Sequence, residues 1–127
     1  MFQLDYSDHR PIYEQIKEKF KELIITGVLK EDDKIPSVRE LAGILTINPN
    51  TIQKAYRDLE TEGYIYSLRA KGSFVSPRRE VVKRSDTDEI LAEFSSLASK
   101  IKFLGISYEE LNEILIKEYN GKEWDKW

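Results

Sequence analysis

The sequence predicts an α+β fold that is mainly α. Three observations point to it. Apolar residues recur at helical spacing in three successive stretches. Two short β-prone runs, "YIYSL" and "SFVS", follow with the basic turn "RAKG" between them. Two more helical stretches close the chain.

The first helix is expected to begin near Pro11, whose missing N–H suits the first helical position. Ile12, Ile16, Phe20, Leu23 and Ile24 form its apolar stripe, and Gly27 can take the left-handed cap conformation. The second helix starts at Ser37. Ser37 and Glu40 make an S-x-x-E capping box, and Val38, Leu41, Ala42 and Leu45 form the buried stripe. The third is capped by Asn48, with Pro49 as its first residue, and ends near Glu62 and Gly63. Ile52, Ala55, Tyr56 and Leu59 face inward, which leaves Asn50, Thr51, Gln53, Lys54 and Arg57 outside. The β-prone runs read as a hairpin with a basic tip, closed by Pro77.

This order organises the chain as residues 1–77, a polar linker over 78–87, and a helical tail over 88–127. In the tail, Ile90, Phe94, Leu97, Ile101 and Leu104 alternate spacings of four and three, a heptad seam suited to helix-on-helix packing. Gly105 ends that helix. Ser107 and Glu110 cap a second one, which carries Leu111, Ile114 and Leu115, with Gly121 as its stop and Trp124 and Trp127 beyond. The seam either packs back on the first domain or faces a second chain. A two-helix appendage buries little surface by itself, which favours the homodimer.

With 127 residues, 40% of them hydrophobic and 34% charged, the chain can bury a core and stay soluble. No run is long enough for a membrane span, and the start lacks a signal-peptide core, so a cytoplasmic location is expected. The absence of cysteine removes disulfides and thiolate metal sites, and His9 is the single histidine. An enzyme is therefore not expected, nor a cofactor or metal.

The net charge is −3, but its distribution is uneven. Residues 34–79 hold 8 basic and 4 acidic side chains, between acidic ends. A basic middle is a local electrostatic footprint for nucleic acid. Three helices, the last two joined by "LTINP", and then a hairpin form the element order of a winged helix-turn-helix. In that arrangement the third helix enters the major groove and its first residues reach base edges. Asn and Gln amides pair with adenine, Thr offers a hydroxyl or a methyl, and Lys and Arg take guanine or phosphate. Asn50, Lys54 and Arg57 share one exposed face. A solvated helix face would carry the same pattern, and spacing alone does not choose. Arg69 to Gly72 would reach the minor groove, or form an ordinary charged turn.

"RPIYEQI", "KIPSVRELAGIL", "INPNTIQKAYRDLETEGYI" and "KGSFVSP" together resemble the DNA-binding domain of GntR-family transcription regulators. The "NPNT…KAY" form and the short C-terminal part look like the YtrA subfamily. The resemblance covers nearly all of residues 10–77. It implies a winged-helix, dimeric regulator, usually a repressor, that binds a palindromic double-stranded DNA operator in a bacterial cytoplasm. It places DNA contacts on the P-S-x-R motif, here with Ser37 and Arg39, on Asn48, Asn50, Thr51 and Gln53 at the third helix's head, and on Arg69, Lys71 and Gly72 in the wing. Lys54 and Arg57 complete the face. It gives the tail to dimerisation through Ile90, Phe94, Leu97, Ile101, Leu104, Leu111 and Leu115. There is no room for the large effector domain of many relatives, and no effector is assigned. Two positions depart from the family, which usually has Gly where Thr46 and Ala70 stand. A protein-interaction module that keeps the fold without the DNA role is the alternative.

Overall fold

A computed structural model describes residues 3–120. Gly121, Trp124 and Trp127 lie outside the described residues. The described chain divides into two compact units, the first running to Arg84 and the second starting at Ser85.

The first unit has the order α1 (Ile12–Ile25), β1 (Lys34–Ile35), α2 (Val38–Leu45), α3 (Pro49–Thr61), β2 (Ile65–Leu68), β3 (Gly72–Val75) and α4 (Arg78–Arg84). The sheet order is β1-β3-β2, antiparallel throughout. Ile16, Phe20 and Ile24 of α1, Leu41 and Ala42 of α2, and Ile52, Ala55, Tyr56 and Leu59 of α3 meet Ile35, Ile65 and Val75 of the sheet in one core. Each large side chain buried this fully stabilises the fold by about 1.5–3 kcal/mol. Because α3 packs on α1, α2 and β2, its outer face is presented from a fixed base.

Pro11 stands one position earlier than expected. Its backbone is extended (ψ 150°), so it is the N-cap, and its carbonyl accepts the Glu14 and Gln15 N–H groups. Gln15, outside the predicted stripe, is buried. Its Oε1 accepts the Asp5 N–H at 2.9 Å, and its Nε2 donates to the carbonyls of Asp5 and Arg10. The N-terminal segment is thereby tied to α1. Strand β1 lies in a stretch that reads as turn in the sequence. It has two residues, too few for an alternating pattern, and is made by pairing Lys34 with Phe74 and Ile35 with Ser73.

The expected linker over 78–87 is helical over its first seven residues. The run "RREVVKR" has no amphipathic stripe, so its helicity is not visible as periodicity. Pro77 accepts the Glu80 N–H, Glu80 lies in the first turn, and Lys83 and Arg84 lie in the last, the charge order that suits the helix dipole. Arg84 donates to the Glu60 carbonyl at 3.2 Å and crosses Gly63, where an added Cβ would stand 2.7 Å from Arg84 Cδ. The first unit accordingly ends at Arg84, seven residues beyond the expected boundary at Pro77.

The second unit contains α5 (Thr87–Phe103) and α6 (Tyr108–Tyr119). Asp86 caps α5 by accepting the Glu89 N–H, and Ser107 caps α6 through the Glu110 N–H. Neither helix has a fully buried residue. Ile90, Phe94, Leu97 and Leu104 are exposed, while Ile101, Leu111 and Leu115 are half-buried.

Ion pairs join α1 to the far end of α3. Lys21 Nζ lies 2.6 Å from Glu62, and Lys17 Nζ lies 3.2 Å from Glu62 and 3.7 Å from Asp58. Burial alone would raise the Glu62 pKa, but the bonds and charges of Lys21 and Lys17 outweigh it and hold it below 4.5. A depressed carboxylate contributes stability above its unfolded pKa and loses it as pH falls through the folded value. Glu62→Gln should therefore cost about 1 kcal/mol at neutral pH. It should also flatten the decline of stability on the acid side of pH 4.5, as urea unfolding across a pH series would register.

Candidate nucleic-acid interface

The head of α3 is built by its own cap. Asn48 Oδ1 accepts the Asn50 N–H at 2.8 Å, and the Asn48 carbonyl accepts the Thr51 N–H at 3.0 Å. The Asn48 side-chain oxygen is thus engaged in the cap, and the residue is exposed. Asn50, Gln53, Lys54 and Arg57 are exposed, Thr51 is half-buried, and Ile52, Ala55, Tyr56 and Leu59 point inward.

Helix α2 supplies the neighbouring edge. Ser37 Oγ accepts the Glu40 N–H, and Glu40 returns a bond to the Ser37 N–H, both at 3.1 Å. The Ser37 N–H, and then the Ser37 side chain, lower the Glu40 pKa and keep its carboxylate on the cap. Arg39 is exposed beside them.

Between α2 and α3 the chain reverses through Thr46, which takes the left-handed conformation (φ 55°, ψ 50°). Its N–H and that of Ile47 both bond the Ala42 carbonyl. The turn keeps the backbone that glycine would adopt and accepts the strain of a β-branched side chain.

The wing tip turns through Leu68–Lys71, closed by a bond from the Lys71 N–H to the Leu68 carbonyl at 3.0 Å. Ala70 is left-handed at φ 64°. Gly72 has φ 116°, and a Cβ there would stand 3.0 Å from Lys34 Cε. Arg69 and Lys71 are exposed.

Charge is partitioned across this unit. Asp58, on the far half of α3, and Glu62, its C-cap, are engaged by lysines of α1, while Glu60 between them is exposed. Among the described residues, Arg39, Arg57, Arg69 and Lys71 form no pair with a carboxylate. Lys54 Nζ sits 4.0 Å over the Tyr13 ring, a contact that holds the ammonium without neutralising it.

All the expected DNA-contacting residues lie in the first unit, and the expected dimerisation residues lie in the second. Two participants were given no role in the sequence reading. Lys34 adds a cation against the wing glycine, and Tyr13 steadies Lys54. Lys34 belongs to the basic middle and Tyr13 to "RPIYEQI", but only the fold shows what each one touches.

Three helices, a hairpin wing and an unneutralised basic face define a winged-helix DNA-binding protein. Residues 12–75 match the model for bacterial regulatory proteins of the gntR family. The chain is 40% identical to the HTH-type transcriptional repressor YtrA of Bacillus subtilis, over 95% of this chain and 93% of that protein. A transcriptional antiterminator from Listeria monocytogenes superposes with a TM-score of 0.77 at 33% identity, covering 98% of this chain and 92% of that one. AraR(DBD), solved in complex with an operator, matches with a TM-score of 0.52 at 36% identity, over 60% of this chain and 95% of that one. The chain belongs to the GntR family, with its likeness to YtrA extending over nearly its whole length. It is a DNA-binding transcriptional regulator, not an enzyme.

The strain at Thr46 is open to test. Thr46→Gly should raise stability by about 1 kcal/mol, the relief of a left-handed β-branched residue less the entropy of a freer unfolded chain. Urea unfolding of the two proteins would reveal the gain, and a loss would show that the threonine side chain supports the turn.

Proposed function

We propose that the protein is a repressor that binds a palindromic operator as a homodimer in the bacterial cytoplasm. The observation that carries this reading is the combination of unpaired cations on α2, α3 and the wing with an apolar seam left open on α5. Asn50, Thr51 and Gln53 read base edges, with Asn48 at the helix start. Ser37 and Arg39 bind the backbone at the head of α2, Arg57 serves the far end of the α3 face, and Arg69, Lys71 and Gly72 follow the minor groove. The repressor relatives and the operator-bound AraR(DBD) support this reading.

The seam supports the dimer. Ile90, Phe94 and Leu97 are 56%, 42% and 53% exposed, more apolar surface than one helix leaves open without a partner. Pairing through α5 and α6 brings Ile101, Leu104, Leu111 and Leu115 into the same interface. Two recognition helices then face half-sites about one helical turn apart. Among the described residues no helix is long and apolar enough to cross a membrane, in keeping with the cytoplasmic site.

Two experiments bear on this reading. Arg39→Ala should weaken binding about uniformly across sequences in gel-shift titrations and reduce the salt slope by about one, as loss of a phosphate contact does. Binding by the unaltered chain should fall steeply as salt rises. No duplex affinity at low salt across a genomic fragment library would instead favour a protein-interaction module. Sedimentation equilibrium tests the second half: Leu97→Glu should convert a dimer into a folded monomer, and a Leu97→Glu chain that stays dimeric contradicts the seam.

A further inference from the structure

We propose that Tyr13 is a positioning residue for DNA binding. Its ring holds the Lys54 ammonium at the α1 edge of the α3 face, where it takes a backbone phosphate and not a base. The inference rests on the DNA-binding face proposed above.

Three lysines lie along the boundary of α1 and α3, and they are treated differently. Lys17 and Lys21 are neutralised by Asp58 and Glu62. Lys54, nearer the head of α3, meets an aromatic ring instead of a carboxylate. Its Nζ is 4.0 Å from the Tyr13 centroid, well inside the range of a cation–π contact of about 6 Å. That attraction leaves the full positive charge available to an anion on the outer side. The ring itself is half-buried and packed against the core, so it is anchored by α1.

Holding a lysine in one place costs rotamer entropy, and an ammonium already seated on a ring loses less of it when a phosphate arrives. The direction of the seat also matters. The side chain is drawn toward α1 and away from Asn50, one turn nearer the helix start, so the uncharged amides are left to face the base edges. Lys54 then contributes affinity that is uniform across sequences, as a phosphate contact does.

A double-mutant cycle on the full chain tests this, with a short mixed-sequence duplex as the probe and anisotropy titrations at fixed salt. Tyr13→Leu should weaken binding about three-fold, and Tyr13→Phe, which keeps the ring, should not. Lys54→Ala should reduce the salt slope by about one, and Tyr13→Leu should cost nothing further in that background. The Lys54 ε-methylene protons should be ring-shifted upfield in the free protein and in Tyr13→Phe, but not in Tyr13→Leu. If Tyr13→Leu unfolds, Tyr13→Met serves as the ring-less variant.

Tighter or unchanged binding by the folded ring-less variant overturns the proposal. So does an equal loss in Tyr13→Phe, which would point to the hydroxyl. A loss that persists in the Lys54→Ala background also overturns it. Failure of the DNA reading looks different: the unaltered chain would then bind no duplex at low salt. Binding that depends on Arg39 but shows no Tyr13–Lys54 coupling sinks only the positioning role.

Discussion

The geometry of the DNA-facing unit depends on one side chain, Tyr56. It is 4% exposed, meets Phe20 of α1 edge-on at 5.5 Å, and donates its hydroxyl to the Pro36 carbonyl at 2.7 Å. A single residue of α3 therefore grips α1 with its ring and the entry to α2 with its hydroxyl. Pro36 immediately precedes the Ser37 cap that sets the start of α2, and Arg39 follows two residues later. The relation between Arg39 and the head of α3 is fixed through this bond. Burial, and then the Glu40 charge, push the phenol above its ordinary pKa, so it remains a donor at any working pH.

Around that anchor, function follows from where the carboxylates are placed. The chain as a whole is acidic, which by itself would repel DNA. Asp58 and Glu62 face the lysines of α1, and Glu40 is folded back on its own helix cap. The pairs cost little to form, being near the surface, and contribute little to stability. Their larger effect is to offset Asp58 and Glu62 near the α3 face, where Glu60 remains as an exposed carboxylate at the far end. The same residues stabilise one seam and leave the opposite face positive.

Much of this was legible in the sequence, because it rests on local rules. Caps at Ser37 and Asn48, the stripes of α1 to α3 and the hairpin each depend on residues a few positions apart. The exposed head of α3 is the remainder once its buried stripe is assigned. What escaped depends on distant partners. Strand β1 exists because β3 pairs with it, and α4 because the Arg78 N–H bonds Glu31 Oε1 and Arg84 bonds the Glu60 carbonyl. The Gln15 bonds to Asp5 and Arg10 and the Tyr13–Lys54 contact leave no periodic trace. Thr46 and Ala70 show the reverse case. Both depart from the family's glycine, yet both keep the left-handed backbone, so the fold overrode a local preference.

The central claim is that the unpaired cations of α2, α3 and the wing are the surface that meets DNA. Amide chemical-shift mapping during titration with an operator duplex tests it most directly. The account predicts that the largest shifts fall on Ser37 to Glu40, Asn48 to Lys54 and Arg69 to Gly72, with the α1 segment around Lys17 and Lys21 unmoved. Shifts centred on that ion-paired segment of α1, with α3's head silent, would contradict it.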